Sequence, residues 1–315
     1  MNKSSRLEIF PDELFLELFS YISPKELFYS WNGLNRRINA ILRSVSISYD
    51  FIENTDENYR ILKYFSQQII YIHLRIPLNL RDFKQFPHLR SLIIDTKLTS
   101  KQVESIHPSI LSNLRRLVFT DAWQGEQPLN NIIFQNWIKV YQFPLIPNKF
   151  LNIQTMIFDR ITIRDIHRIL LLQTTLRRLK VTIVLPMSDE KISKSLFIDQ
   201  NFQHKYLIDF HLTMNTFNKL DALYPLLSYL SSLHYLHIFC DSLNINDFRQ
   251  LAFELHTRIP QLERLNCTFK QTYIENIETI HSMSPLFTRM ICKKIEWTGG
   301  WHYYCVTTNP VDCFS

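Results

Sequence analysis

Glycine is nearly missing from this chain, with four residues in 315. That argues against any fold that relies on a glycine-rich phosphate loop. No stretch of about eighteen apolar residues occurs, so no membrane-spanning helix is expected. Met1–Glu8 carries no apolar signal region. The five cysteines (Cys240, Cys267, Cys292, Cys305, Cys313) are odd in number and never spaced as CxxC. Reduced thiols in the cytosol or nucleus are therefore the expectation. HExxH, GxSxG and GxxxxGK[ST] are all absent. His234 and His237 lie three apart in a strand-like stretch, so they face opposite sides and cannot share a metal by that spacing. The motifs yield no catalytic set, no metal site and no cofactor site.

What is present is apolar and basic. Hydrophobic residues make up 46% and charged residues 20%, in the range of globular domains. The net charge is +6, scattered in pairs such as Arg115-Arg116, Arg177-Arg178 and Lys293-Lys294. Such scatter fits a solvated surface or an acidic partner better than a nucleic-acid run.

The first fifty residues read as three short helices. Pro11 suits the first helical position, and Asp12 and Glu13 suit the positive end of the helix dipole. Leu14, Phe15, Leu18, Phe19 and Ile22 form one broad apolar face, with Leu16 and Tyr21 off it. Ser23-Pro24-Lys25-Glu26 has capping-box spacing and starts a second helix, carrying Leu27, Phe28 and Trp31. Asn32-Gly33 stops it. A third helix, Leu34 to Leu42, groups Leu34, Ile38, Ile41 and Leu42. A unit this small should not need apolar cover on two sides, and a surplus apolar face marks an interaction site.

Phe10-Pro11-Asp12-Glu13-Leu14, Glu17–Ile22, Ser23–Leu27 and Leu34–Asn39 together closely resemble an F-box. Phe10-Pro11 stands where the family usually has Leu-Pro, and Ile38 replaces its usual late Trp. The resemblance covers about an eighth of the chain. It implies binding to a Skp-type adaptor and, through it, to a cullin-based ubiquitin ligase. Carried over by position, the contact set is Phe10, Pro11, Leu14, Leu18, Ile22, Leu27 and Leu34.

From residue 69 a frame recurs: apolar, two variable, apolar, one variable, apolar. It reads Ile69-x-x-Ile72-x-Leu74, Leu89/Leu92/Ile94, Leu114/Leu117/Phe119, Ile153/Met156/Phe158 and Leu176/Leu179/Val181. It continues as Leu207/Phe210/Leu212, Leu233/Leu236/Ile238, Leu262/Leu265/Cys267 and, weakly, Cys292/Ile295/Trp297. The last two anchors of each frame alternate as in a strand, and helical stretches at 101–114, 164–172, 220–230 and 247–255 lie between. Spacing runs from 20 residues (Ile69 to Leu89) to 39 (Leu114 to Ile153). The frame resembles the LxxLxL of degenerate leucine-rich repeats. The expected fold class is thus α/β: an all-helical F-box over 1–50, then a curved leucine-rich-repeat solenoid over 51–315. That solenoid would have about nine units, parallel strands on its concave face, helices outside and a longer insertion near 121–150.

In that arrangement the residues between anchors face a partner. The candidate target-binding set is Tyr71, His73, Arg75, Arg116, Arg178, Lys180, His211, Tyr235, His237 and Arg264. Arg75, Arg116, Arg178, Lys180 and Arg264 would form a basic stripe for an acidic or phosphorylated protein segment. The aromatic end, Trp297 to Tyr304, reads as a cap on the last repeat. The expectation is a non-catalytic ligase adaptor, with a non-ligase scaffold as the alternative and an RNA-binding solenoid behind it. No membrane partner is expected.

Overall fold

The structure is a computed structural model. It describes residues 9–78, 83–96, 98–107, 110–120, 152–183, 203–214, 223–240, 245–271, 277–296 and 302–308. The chain forms two compact units, Met1–Asn152 and Ile153–Ser315. The expected insertion near 121–150 lies outside the described residues.

The first unit opens with α1 (Asp12–Ser20), α2 (Pro24–Glu26), a π turn (Leu27–Trp31) and α3 (Arg36–Leu42). Pro11 is the N-cap of α1 and not its first helical residue. The capping box is present: Ser23 accepts from the Glu26 amide and the Glu26 carboxylate accepts from Ser23. The π turn arises because the Asn32 amide donates to Leu27 O, five residues back, at 3.2 Å. Gly33, at φ 83°, then reverses the chain. Asn35 caps α3, so this helix starts at Arg36 instead of Leu34.

β1 (Ile47–Phe51) follows, unforeseen in the frame, and pairs in parallel with β2 (Ile69–Leu74) across α4 (Asp56–Tyr64). The expected boundary after residue 50 therefore falls inside a strand. β3 (Ser91–Ile94), α5 (Ser100–Ser105) and β4 (Arg116–Phe119) complete the described part of this unit. The four strands among its described residues are parallel and in chain order. Parallel neighbours need a crossover between them, which is what the helices provide.

The second unit carries β5 (Thr155–Ile161), α6 (Ile163–Leu172), β6 (Arg178–Ile183), β7 (Asp209–Met214) and α7 (Tyr224–Leu227). β8 (Tyr235–Cys240), α8 (Ile245–Arg258), β9 (Arg264–Gln271), α9 (Ile277–His281), β10 (Ile291–Glu296) and β11 (His302–Thr307) follow. β5 to β9 are parallel and consecutive.

The frame explains the register. Met156, Leu179, Phe210, Leu236 and Leu265 lie side by side across the sheet, and so do Phe158, Val181, Leu212, Ile238 and Cys267. All are buried, as are the leading anchors Ile153, Leu176, Leu207, Leu233 and Leu262. Each such side chain contributes roughly 1.5–3 kcal/mol of gross transfer energy. In the first unit Ile72, Leu92 and Leu117 form one buried row and Leu74, Ile94 and Phe119 another.

The ninth unit breaks the pattern. β10 is not another parallel strand: β11 lies between β9 and β10 and runs antiparallel to both. Cys292 is half-buried and not an inward anchor. Trp297 and Trp301 lie outside the described residues. Among the described residues, no helix is long and apolar enough to cross a membrane.

Candidate functional site

Candidate surfaces lie on the leading helices and on the strands of each unit. On α1 the apolar residues divide. Phe15 and Phe19 are buried and pack on Trp31, with ring centroids 6.1 and 4.9 Å away. Leu14 (49% exposed) and Leu18 (43%) face solvent, with Phe10 and Leu34 also exposed. Pro11 is exposed and Ile22 half-buried. Leu27 is 0% exposed and belongs to the core, so this member of the expected contact set cannot touch a partner directly. Leu34 does not join Ile38, Ile41 and Leu42 inside, because it precedes α3 and points away from their buried cluster.

Polar contacts fix this surface. Arg37 donates to Asp12 Oδ1 at 2.6 Å and to Phe10 O at 2.5 Å, tying the start of α1 to α3. Lys25 meets Glu57 at 3.1 Å, and the Tyr64 hydroxyl donates to Asn32 at 2.8 Å. The helices therefore dock onto α4 and β1 on one flank and leave the Leu14–Leu18 flank open. Hydrogen bonds from Ser23 hold the Glu26 carboxyl below its ordinary value, and Lys25 does the same for Glu57.

On the strands, each unit holds its own group of the predicted residues. In the first unit His73 stands between two carboxylates: Nδ1 is 3.1 Å from Asp50 and Nε2 is 2.5 Å from Asp95. Arg75 binds Asp50 through two nitrogens, at 3.1 and 3.3 Å, and Thr120 bonds Asp95. Burial, then the Asp50 charge, raises the Tyr71 phenol above its ordinary value.

In the second unit the strand register builds two rows. Arg178, Asp209, Tyr235 and Arg264 occupy one, and Lys180, His211, His237 and Asn266 the next. Asp209 Oδ2 is 3.7 Å from Arg178 Nε. Asp209 Oδ1 is 3.0 Å from His211 Nε2 and 3.8 Å from His237 Nε2. The two imidazoles stack 3.6 Å apart, 8° from parallel. Asn266 Nδ2 is 3.1 Å from His237 Nδ1, and Arg264 Nε donates to Asn266 Oδ1 at 3.1 Å. Burial pushes the Asp209 carboxyl up, but contact with His211 and the charges of His211, His237 and Arg178 outweigh it and leave it below normal.

No family model matches this chain, and no curated protein does either.

The sheet geometry corrects the expected basic stripe. Arg75 and Arg178 face acidic partners, Asp50 and Asp209, that the frame did not single out as neutralising. Asp50 was invisible because β1 was. His234 pairs with Glu263 at 2.8 Å while His237 joins Asp209, consistent with opposite faces. The signal that was missed is cross-strand: His211 and His237 stand opposite each other, 26 residues apart in sequence.

Proposed function

We propose that the chain is a non-catalytic adaptor of a cullin-based ubiquitin ligase. In this reading the leading helices bind a Skp-type adaptor and the downstream units form a leucine-rich-repeat solenoid that captures the protein to be ubiquitinated. The observation that carries it is the divided apolar character of the F-box-like segment. Its inner residues already fill a core, yet Phe10, Leu14 and Leu18, spaced four apart, remain exposed, as does Leu34. Water-facing leucines on a short helix that is already docked are what a second protein would cover. The resemblance of Phe10–Asn39 to an F-box names that protein as a Skp-type adaptor, with Phe10, Pro11, Leu14, Leu18, Ile22 and Leu34 as contacts and Leu27 as their support.

The mechanism is proximity. A captured target is held near a ubiquitin-loaded enzyme, which raises the effective concentration of its lysines. Within the second unit Lys180 and Arg264, with His211 and Tyr235, offer an acidic or phosphorylated segment charged and hydrogen-bonding contacts, and Arg116 offers one in the first unit. The proposed setting is the cytosol or nucleus.

The test is co-purification of the full chain with a Skp-type adaptor, beside Leu14→Asp/Leu18→Asp. The full chain is needed, because a cut after residue 50 would sever β1. Adaptor capture by the wild type and its loss in the double variant is the expected result. Equal capture by both, or by neither, would leave a plain interaction scaffold.

A further inference from the structure

We infer that Asp209, His211 and His237 form a binding site for a divalent transition ion of the zinc class. The site lies within the second unit and does not depend on the ligase reading, although His211 also belongs to the proposed target contacts.

The donors converge because of strand alternation and register. Asp209 and His211 are two apart on β7, hence on one face. His237 on β8 stands opposite His211. One donor atom from each residue can be chosen so that all lie within 4.8 Å of one another. Tetrahedral zinc bonds of about 2.0–2.2 Å place neighbouring donors roughly 3.3–3.6 Å apart. The Asp209 Oδ1 distances to the two Nε2 atoms, 3.0 and 3.8 Å, bracket that value. Binding would fan the stacked rings so that their lone pairs meet at one point, with water completing the shell.

A second observation concerns Asp209 Oδ1 itself. It is shielded from solvent and has no well-aligned hydrogen-bond donor, although His211 Nε2 lies 3.0 Å away. Orphaned buried acceptors are rare, and a cation would satisfy this one. An outer contact is also in place. A histidine that ligates through Nε2 must give its other ring hydrogen to an acceptor. The Asn266 amide sits 3.1 Å from His237 Nδ1 and, turned over, would present its oxygen there. Arg264 and the Thr308 hydroxyl, 3.5 Å away, would then release that oxygen, and Arg264 is exposed and able to move. Two imidazoles and one carboxylate suit zinc, not calcium or magnesium, which prefer all-oxygen sites.

The surrounding charges oppose a cation. Arg178 lies beside Asp209, and Lys180 is in register with His211. Affinity should therefore rise when Lys180 is removed.

The experiment is calorimetric titration of the untagged full chain with Zn(II), repeated with Mg(II), and absorption spectroscopy with Co(II). Expected are one Zn(II) per chain, no Mg(II) uptake, and a cobalt spectrum without thiolate charge-transfer bands. Asp209→Asn and His237→Gln should each weaken Zn(II) binding by roughly tenfold or more, with unchanged circular dichroism, and Lys180→Ala should tighten it. No Zn(II) binding by the wild type would overturn the inference. So would equal binding by the variants, or cobalt bound through cysteine.

Discussion

Leu14 and Phe15 are neighbours in α1, yet Phe15 is 3% exposed and Leu14 is 49% exposed. One belongs to the protein's own core and the other faces away from it. The same contrast separates Leu27 from Leu34 and yields a clear mutational test. Leu27→Ala should cost about 2–5 kcal/mol, because a fully enclosed side chain leaves a cavity. Leu34→Ala should stay within about 0.5 kcal/mol, as surface changes do. Urea melts of both variants check the stabilities. Co-purification should show the reverse order of specificity, with Leu34→Ala losing adaptor while remaining folded.

The capping box at Ser23 and Glu26 anchors the second helix where it meets α4. Ser23→Ala should destabilise the first unit by about 1 kcal/mol. Ser23→Asp should recover most of that, since aspartate is as good a cap. Thermal melts of the three proteins decide the matter.

His204 is buried, with Nε2 2.8 Å from Gln173 O and Nδ1 accepting the Leu207 amide at 3.1 Å. Both nitrogens are used by the neutral ring, and burial lowers its proton affinity below the usual histidine value. The unfolded chain therefore binds a proton that the folded chain refuses. Stability should be full above about pH 6.5 and fall as pH drops below it. His107 and His167, lowered by the same cause, add to the effect. Urea midpoints at about pH 7.5 and 5.5 should differ less for His204→Asn than for the wild type.

The sheet residues should not contribute equally to target capture. Arg75 is held by two bonds to Asp50, whereas no ion pair is formed by Arg116 or Lys180 among the described residues. Charge reversal at Arg116 or Lys180 should reduce captured protein more than reversal at Arg75. Quantitative mass spectrometry of material bound to each variant gives the comparison.

The sequence was legible where one rule governs a position. Ile72/Leu74 through Leu265/Cys267 were readable as inward pairs because burial on one face of a strand demands alternation. Ser23 and Glu26 were readable because a capping box is local. β1 escaped because Ile47, Tyr49 and Phe51 alternate correctly but lack the leading anchor of the frame. Leu27 and Leu34 were both plain leucines in an apolar segment, and only the path of the chain through the π turn and Gly33 separates them. The Asp209–His211–His237 grouping depends on which strand lies beside which, and on the register between them, neither of which any short motif records.

β11 turns back between β9 and β10, and its direction has a bearing on how such a chain could lengthen. A parallel array can grow by duplication wherever one module can follow another in the same sense. β11 is antiparallel to both its neighbours, so β10, last in the described strand order, runs again in the sense of β9. The hairpin thus interrupts the array without turning it round, and a parallel strand laid on β10 would keep the common direction.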